Sequence, residues 1–389
     1  MTLGLLRSIT ARPALSPIGL DVGPRCLRAA QLGRVDGQWR ILRLAQWNRR
    51  EAETGTGISP GFARRIQQAL DQDGFRGRRL VVGLSIPDVE LHTLEIPDRG
   101  DLSDAGKFAD AARWELQRVS GIAPEQAASG YWRVPAGDGT RTTARGAVAR
   151  REDVVALCEL ARSTRLDCER VDATSCALSR LGSLLRRRSG ADPQEVWSVL
   201  DVGSRMLRLV VAVGEVPVLV RNLGVGSQDW TRNVAESLQL SPEAAEIHKC
   251  DYGIATGSLR VGARGMNPAA REDPSSQIAA MIFNILRGDL DLIVAEIERS
   301  YEYIMRCYPE RPAGAVLLVG AGADLKGLDR YLAEQLGVDV TPLEQAVQQP
   351  DGSLIVDQIA GARILSRTHQ SLNAFGCAIG LAINTETRP

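Results

Sequence analysis

An eight-residue pattern that occurs twice, half a chain apart, constrains this sequence more than any other feature. The pattern D-V-G-x-R-x-L-R runs from Asp21 to Arg28 and again from Asp201 to Arg208, an offset of 180 residues (201 − 21) in a chain of 389. Six of the eight positions are identical in the two copies, and chance agreement of that length is improbable. The pattern therefore predicts two structurally related halves.

Each copy has the local properties of a β-hairpin. An apolar run of β-prone residues ends in Asp-x-Gly, and an apolar segment resumes after the turn at Cys26 and at Leu207. Glycine permits a tight turn, an aspartate at a strand end can hold a hydrated cation, and turn N–H groups can face an anion. Two such hairpins facing each other across a cleft would form a phosphate clamp, whereas one copy alone is better explained as a simple hairpin.

Length and composition limit the class of protein. A chain of 389 residues exceeds what one hydrophobic core supports, so we expect two or three domains. The 47 basic and 47 acidic residues cancel, which disfavours a nucleic-acid binder. Seven cysteines without C-x-x-C spacing and three scattered histidines disfavour a structural zinc site. No apolar run approaches the ~20 residues of a membrane helix and the N-terminus does not resemble a signal peptide, so we expect a cytoplasmic protein.

A charged stretch with Gly190 and Pro193, over residues 183–196, separates the two patterned halves. We therefore expect a first lobe over residues 16–190 and a second lobe over residues 196–385. In the second half, the apolar periodicity predicts a long amphipathic helix from Gln277 to Met305 that is broken near Gly288.

A third glycine motif, VGAGADLKGL, ends a predicted strand that begins at Ala315. Two Asp-x-Gly hairpins followed by strand, Gly-x-Gly and helix resemble the ATPase fold of actin, sugar kinases and Hsp70. Finer features resemble the PilM family of actin-like type IV pilus assembly proteins over about residues 18–383: RNLGVGSQDWTRNVAESLQLSPEAAEIHK (221–249), VVGLSIPDVELHTLEIP (81–97), LDCERVDATSCAL (166–178), the R-W-E helix around Trp114 and the closing FGCAIGLAI. The resemblance implies an α/β, actin-like ATPase fold with duplicated ribonuclease H-like lobes and a small subdomain inserted in each, at about residues 80–150 and 250–312.

The resemblance also implies a nucleotide site, for ATP or ADP with Mg²⁺, in the cleft between the lobes. Asp21 and Asp201 would hold the Mg²⁺, mostly through water, because Mg²⁺ gives up its hydration shell reluctantly. The other implied nucleotide-binding residues are Gly23, Gly203, Ser204, Gly226, Glu246, Lys249, Gly320 and Gly322, and Gly224 would shape the cleft wall together with Gly226. Two of these features have simpler interpretations: the Glu246–Lys249 pair as a surface salt bridge, and Gly320-Ala321-Gly322 as an ordinary strand-to-helix turn.

One residue departs from the family pattern. Pro24 follows the first turn glycine, where the family has Ser or Thr, so the first hairpin lacks one backbone N–H and one hydroxyl. No general base for an attacking water is identifiable. We therefore expect nucleotide binding without efficient hydrolysis, at most a weak ATPase activity.

The function implied by the resemblance is that of a cytoplasmic scaffold in a type IV pilus or related secretion machine. The subdomain at residues 80–150 would form a groove for the N-terminal cytoplasmic tail of a PilN-like bitopic inner-membrane protein, and pilus motor ATPases would be further partners. Such a protein lies at the inner membrane through its partner and does not insert into the membrane itself. The apolar groove candidates are Trp114, Leu116 and Val119, although core packing of the helix is the simpler interpretation of Trp114. The alternatives are an actin-fold ATPase or small-molecule kinase and an FtsA-like filament former.

Overall fold

The computed structural model describes residues 14–35, 38–49, 60–84, 89–96, 105–135, 143–186, 192, 195–255, 274–311, 313–348, 354–356 and 371–383. The strands are β1 Ala14–Leu15, β2 Ile18–Val22, β3 Cys26–Val35, β4 Gln38–Asn48, β5 Arg79–Leu84, β6 Glu90–Glu95, β7 Ala127–Arg133, β8 Thr143–Arg150, β9 Asp167–Ala173, β10 Val196–Val202, β11 Leu207–Val213, β12 Val216–Leu223, β13 Ala313–Val319, β14 Val340–Pro342 and β15 Leu354–Val356. The helices are α1 Pro60–Gln72, α2 Ala105–Ser120, α3 Arg151–Ser163, α4 Thr174–Arg186, α5 Ser227–Leu238, α6 Pro242–Tyr252, α7 Pro274–Cys307, α8 Leu328–Leu336, α9 Leu343–Ala346 and α10 Gly376–Ala382. The predicted lobe junction at residue 190, the boundary at residue 385 and part of the second predicted subdomain (256–273) lie outside the described residues.

Two sheets repeat one topology. The first has the strand order β15-β4-β3-β2-β5-β9, with β1 also paired to β3, and the second has the order β12-β11-β10-β13-β14. In each sheet, three consecutive strands form an antiparallel meander, β2–β4 in the first sheet and β10–β12 in the second. The first strand of each meander also pairs with a parallel strand, β5 or β13, which in turn pairs with a second parallel strand, β9 or β14. The duplication predicted from the eight-residue pattern therefore extends to whole five-stranded units.

The second sheet is covered on both faces. All seven residues of β11 are buried, which is expected of a continuous apolar strand between two layers. One covering layer is α7, whose buried stripe includes Ile282, Leu286, Leu290 and Ile293 and packs with α5 and the sheet in a single core. Helix α7 is continuous from Pro274 to Cys307, so the predicted break at Gly288 is wrong. The apolar stripe continues on either side of this glycine, and packing of that stripe outweighs the low helix propensity of one glycine.

A small subdomain is inserted between β5 and α3. Its sheet has the order β6-β8-β7, and α2 packs on one face through a core of its own. The subdomain also reaches the second half of the chain: the Trp132 indole N–H donates to Pro217 O at 2.9 Å, and the Tyr308 hydroxyl donates to Pro135 O at 2.9 Å.

The last helix of each half packs against the sheet of the other half. Helix α4 follows β9 of the first sheet and contacts β10, β11 and β12, whereas α10 ends the chain's second half and contacts β2, β3 and β5. The two helices cross closely, and a third core, built from β3, β4, β10, β11 and both helices, joins the sheets. Residues 354–356 and 376–382, assigned to the second lobe by the sequence analysis, thus contact the first sheet. The other lobe boundaries remain predictions.

Small residues allow α4 and α10 to pack this closely against each other and against the sheet of the other half. A Cβ atom on Gly19 of β2 would lie 2.2 Å from Ala378 O, and one on Gly380 of α10 would lie 2.2 Å from Ala177 O of α4. Both distances are far below van der Waals contact, so only glycine allows these backbones to approach. The glycine- and alanine-rich composition of FGCAIGLAI is therefore a packing requirement.

Candidate functional site

The two copies of the repeated pattern fold as the predicted hairpins, β2–β3 and β10–β11, with the same register. Asp21 pairs with Arg28 across the first hairpin, and Asp201 pairs with Arg208 across the second. Each aspartate also has a neighbour on the parallel side, Gly83 for Asp21 and Val319 for Asp201. The repeat thus places one carboxylate and one guanidinium side by side on each half of the molecule.

The two aspartates lie close enough to influence each other. Burial raises the pKa of Asp21 above its ordinary value, the charge of Asp201 raises it further, and Arg28 and Arg208 act in the opposite direction. The Asp201 carboxylate lies 3.8 Å from the Arg208 guanidinium. The Cys377 thiol of α10 lies 3.8 Å from the Asp201 carboxylate, and burial together with both carboxylates raises its pKa well above the ordinary range. Asp21 and Asp201 are therefore close enough for their charges to interact, and their role as Mg²⁺ ligands remains a prediction.

The hairpin turns require their glycines. A Cβ on Gly23 would lie 2.8 Å from Cys26 O, and one on Gly203 would lie 2.7 Å from Met206 O. In the first turn, Gly23 N donates to Cys26 O at 3.0 Å. The two turns thus have similar backbone geometry even though Pro24 occupies the place of Ser204.

The N-terminal turn of α5 packs on the second hairpin. Ser227 N donates to Gly203 O at 3.0 Å, and Gln228 N donates to Ser204 O at 2.9 Å. Gly226 allows this approach, because a Cβ there would lie 2.3 Å from Ser204 O. These two helix N–H groups therefore hold the hairpin in place. Gly226 contacts the hairpin backbone, and no described atom lies within 4 Å of a Cβ built on Gly224.

The third motif lies against the same hairpin. Gly320 has a φ of 89°, and a Cβ on it would lie 2.7 Å from Asp201 Oδ1. A Cβ on Gly322 would lie 2.8 Å from the Ser227 Cβ. Gly320 N donates to Asn373 O at 2.7 Å, just before α10. The Gly-x-Gly turn thus lies beside the aspartate of the second hairpin, because Val319 and Asp201 pair in neighbouring strands.

Lys249 and Glu246 form a salt bridge in which the lysine is buried and the carboxylate is half exposed. Its side chain is 4% exposed, and Nζ donates to Glu246 Oε2 at 2.6 Å, Thr231 Oγ1 at 2.8 Å and Ser227 O at 3.1 Å. Burial alone would raise the pKa of Glu246, but the charge and hydrogen bond of Lys249 and the Thr231 hydroxyl lower it. Lys249 therefore ties α6 to the N-terminal turn of α5, while the half-exposed Glu246 carboxylate keeps access to solvent.

The sequence analysis did not single out several polar residues of this region. Arg28 and Arg208 face the aspartates; Arg28 Nε donates to Gln46 Oε1 at 2.8 Å, and Arg208 donates to the Thr174 hydroxyl. Asp324 follows the third motif and accepts from Asn373 Nδ2 at 2.8 Å and from the Ser371 hydroxyl, and burial raises its pKa. The arginine that ends each copy of the repeated pattern was a sequence signal for Arg28 and Arg208. Asp324 carried no such signal, because its hydrogen-bond partners lie in a distant segment of the chain.

The groove candidates on α2 differ in exposure. Trp114 is 65% exposed, so its interpretation as core packing is wrong. Leu116 is only 2% exposed and packs in the subdomain core, where Gly146 leaves room for it: a Cβ on Gly146 would lie 2.5 Å from Leu116 Cδ1. Leu116 is therefore not an exposed groove residue, which corrects that prediction. Val119 is partly buried against the same core.

Two sheets of one topology, each beginning with an Asp-x-Gly hairpin, together with a glycine turn on the second hairpin, define an actin-like ATPase fold. The comparisons with known proteins agree with the prediction of this fold. A solved structure described as a PilM-PilN type IV pilus biogenesis complex superimposes with a TM-score of 0.69, at 24% identity, over 95% of this chain and 98% of the other. The family model described as cell division protein FtsA matches residues 198–359, less than half of the chain.

Two further solved structures are similar at lower scores. They are the ethanolamine utilization protein EutJ from Carboxydothermus hydrogenoformans, with 11% identity, coverages of 96% and 90% and a TM-score of 0.49, and MreB 5 of Spiroplasma citri bound to AMPPNP, with 12% identity, coverages of 92% and 98% and a TM-score of 0.45. These scores are too low to carry an argument about this chain. No curated protein matches the chain by sequence.

Among the described residues, no helix is both long and apolar enough to cross a membrane. Those residues also contain no group of three or more His, Cys, Asp or Glu side chains that could hold a metal ion.

Proposed function

We propose that this chain is an actin-like nucleotide-binding scaffold of a type IV pilus or related secretion machine, and that it binds the N-terminal cytoplasmic tail of a PilN-like inner-membrane protein. The observation that carries the proposal is the superposition with the PilM-PilN complex over nearly the full length of both chains. The inserted subdomain with its exposed tryptophan supports it, because a large exposed aromatic side chain is typical of a binding hot spot.

The donor set fits Mg²⁺ with ATP or ADP. Asp21 and Asp201 offer carboxylate oxygens, the ligands that Mg²⁺ prefers, and a cation between them would offset the repulsion that raises the pKa of Asp21. The bound Mg²⁺ would neutralise phosphate charge. Gly23, Gly203 and Ser204 would face the phosphates. The remaining proposed contacts to the nucleotide are Gly226, Glu246, Gly320, Gly322 and, through its anchoring of Glu246, Lys249.

The proposed nucleotide role is binding without efficient turnover. Pro24 removes one phosphate donor, and no described side chain stands out as a general base. We expect wild-type protein to release phosphate from ATP no faster than an Asp201→Ala variant, measured with a coupled phosphate assay. Phosphate release that stops on this substitution would instead identify the chain as an ATPase or kinase.

Tail binding is tested with a fluorescent peptide that carries the first residues of the candidate bitopic partner. We expect Trp114→Ala to weaken binding by at least about 2 kcal/mol, roughly thirtyfold, as for other buried aromatic anchors. Leu292→Ala is the matched control, because Leu292 is 56% exposed on α7, a different element. Absence of tail binding to the wild type would refute the proposed function, and equal effects of the two substitutions would refute the location on α2.

The cellular placement follows from the same proposal. A scaffold of this kind is cytoplasmic and lies at the inner membrane through the tail of its partner, where it also meets pilus motor ATPases. Fractionation tests this placement: we expect the protein in the membrane fraction when the bitopic partner is present and in the soluble fraction when its tail is deleted. A membrane association that survives deletion of the tail would contradict it.

A further inference from the structure

The tips of the two hairpins differ in one chemically important way. The first reads Gly23-Pro24-Arg25 and the second Gly203-Ser204-Arg205. Pro24 has no N–H and no hydroxyl, so it offers a phosphate no donor, whereas Ser204 has both. The backbone of the first tip is nevertheless held firmly: Arg49 N donates to Arg25 O at 2.7 Å, and Arg49 Nη1 donates to Gly23 O at 3.0 Å. The first hairpin is thus a well-formed turn with a missing donor.

The side chain of Arg25 crosses from the first hairpin to the second half of the chain. With the Gln228 carboxamide oriented so that its oxygen faces the guanidinium, Oε1 accepts from Nη2, from Nη1 at 2.9 Å and from Nε at 3.2 Å. Gln228 lies in the N-terminal turn of α5, and the backbone N–H of Gln228 donates to Ser204 O of the second hairpin. Arg25 is therefore positioned between the two hairpin tips.

The contacts of Arg25 leave part of its hydrogen-bonding capacity unused. A guanidinium has five N–H donors in a planar fork, and a single neutral amide oxygen cannot satisfy them. Among the described residues, no carboxylate forms an ion pair with Arg25. Its backbone carbonyl is anchored, while its side chain is exposed and able to turn away from Gln228.

We propose that the Arg25 guanidinium binds the phosphate chain of the nucleotide and replaces the donors that Pro24 removes. A planar guanidinium binds phosphate oxygens through two parallel hydrogen bonds, which a neutral turn N–H cannot do. The ligand class is a nucleoside di- or triphosphate. The inference rests on the proposed nucleotide binding. It assigns a phosphate contact to Arg25, the residue that follows Pro24.

The test measures equilibrium binding of ATP with Mg²⁺ by isothermal titration calorimetry at constant ionic strength. We expect Arg25→Ala to weaken binding by about ten- to a hundredfold, the effect of losing a charge-assisted hydrogen bond. Arg25→Lys should retain part of the affinity, because an ammonium keeps the charge and loses the fork. Arg205→Ala is the matched control at the same position of the second tip, where Ser204 is present, and should change affinity less than threefold.

The decisive variant combines Pro24→Ser with Arg25→Ala. If Arg25 replaces the missing donors, a serine at position 24 should restore most of the affinity that Arg25→Ala loses. Equal affinity of Arg25→Ala and wild type, or an equal loss in Arg205→Ala, would overturn the inference. So would a double variant no better than Arg25→Ala, provided that thermal unfolding shows both to be folded. A wild type that binds no nucleotide would refute the proposed function itself, which is a different result.

Discussion

The substitution of glycine by alanine should have opposite effects on stability at two helical positions, one where α10 crosses α4 and one on α7. At Gly380 the new Cβ would lie 2.2 Å from Ala177 O and 2.6 Å from Ala177 C, both backbone atoms of α4. Ordinary contact needs at least 3.4 Å, so the two helices would have to separate by about 1 Å. At Gly288 of α7, no described atom lies within 4 Å of the Cβ.

The two energetic terms can be compared directly. Alanine in a helix interior gains about 0.8–1 kcal/mol over glycine, whereas overpacking a filled core costs about 1–3 kcal/mol. The overpacking term should dominate at Gly380, because displaced α10 also loses its fit against Gly19 of β2. We expect Gly380→Ala to lower the free energy of unfolding by about 1–2 kcal/mol and Gly288→Ala to raise it by about 0.5–1 kcal/mol.

Urea unfolding followed by circular dichroism measures both changes. The comparison is between midpoints, and an unchanged denaturant slope shows that stability alone has altered. If Gly380→Ala were as stable as the wild type, the close approach of α10 to α4 would be refuted. If Gly288→Ala were destabilising, the continuity and exposed position of that part of α7 would be refuted.

Three further predictions concern single side chains. Because burial and the neighbouring carboxylate raise the pKa of Asp21, its ionised form weakens the fold at neutral pH. We expect Asp21→Asn to have a higher melting temperature than the wild type at pH 7. Thermal scans at pH 7 and pH 4 should show that this difference in melting temperature shrinks toward pH 4. Lys249→Met should lower stability by about 2–4 kcal/mol, because it removes three hydrogen bonds of a buried ammonium and the positive charge beside Glu246, whereas Glu246→Gln should lower it less; comparable urea midpoints would contradict this. Leu116→Ala should cost about 2–5 kcal/mol by urea unfolding, and Trp114→Ala less than about 0.5 kcal/mol.

Much of the fold could be predicted because the duplication repeats local chemistry. An apolar run, Asp-x-Gly and a second apolar run specify a hairpin by themselves, and two copies in the same register place Asp21 and Asp201 in equivalent positions. The hairpins themselves need no information about distant contacts. That both aspartates and the third glycine turn share one cleft was implied only by the resemblance to the actin-like fold.

Other features depend on contacts that local periodicity does not encode. Whether Trp114 or Leu116 points into the subdomain depends on where α2 meets β8, and Gly146 provides the space for Leu116. Helix α7 remains continuous at Gly288 because its apolar stripe packs in the same core before and after this residue. Asp324 is held by Asn373 and Ser371, some fifty residues later in the chain. In each case a partner far along the sequence decides the outcome.

The exchange of closing helices has a consequence for synthesis of the chain. Strand β2 packs against α10, which the ribosome makes more than 350 residues later. Until α10 is made, the apolar face formed by Gly19, Ala30 and Leu32 has no covering layer from that helix. Contacts between such distant segments are slow to form, and uncovered sheet faces are aggregation-prone. The core around the first sheet is therefore completed only after α10 has been translated.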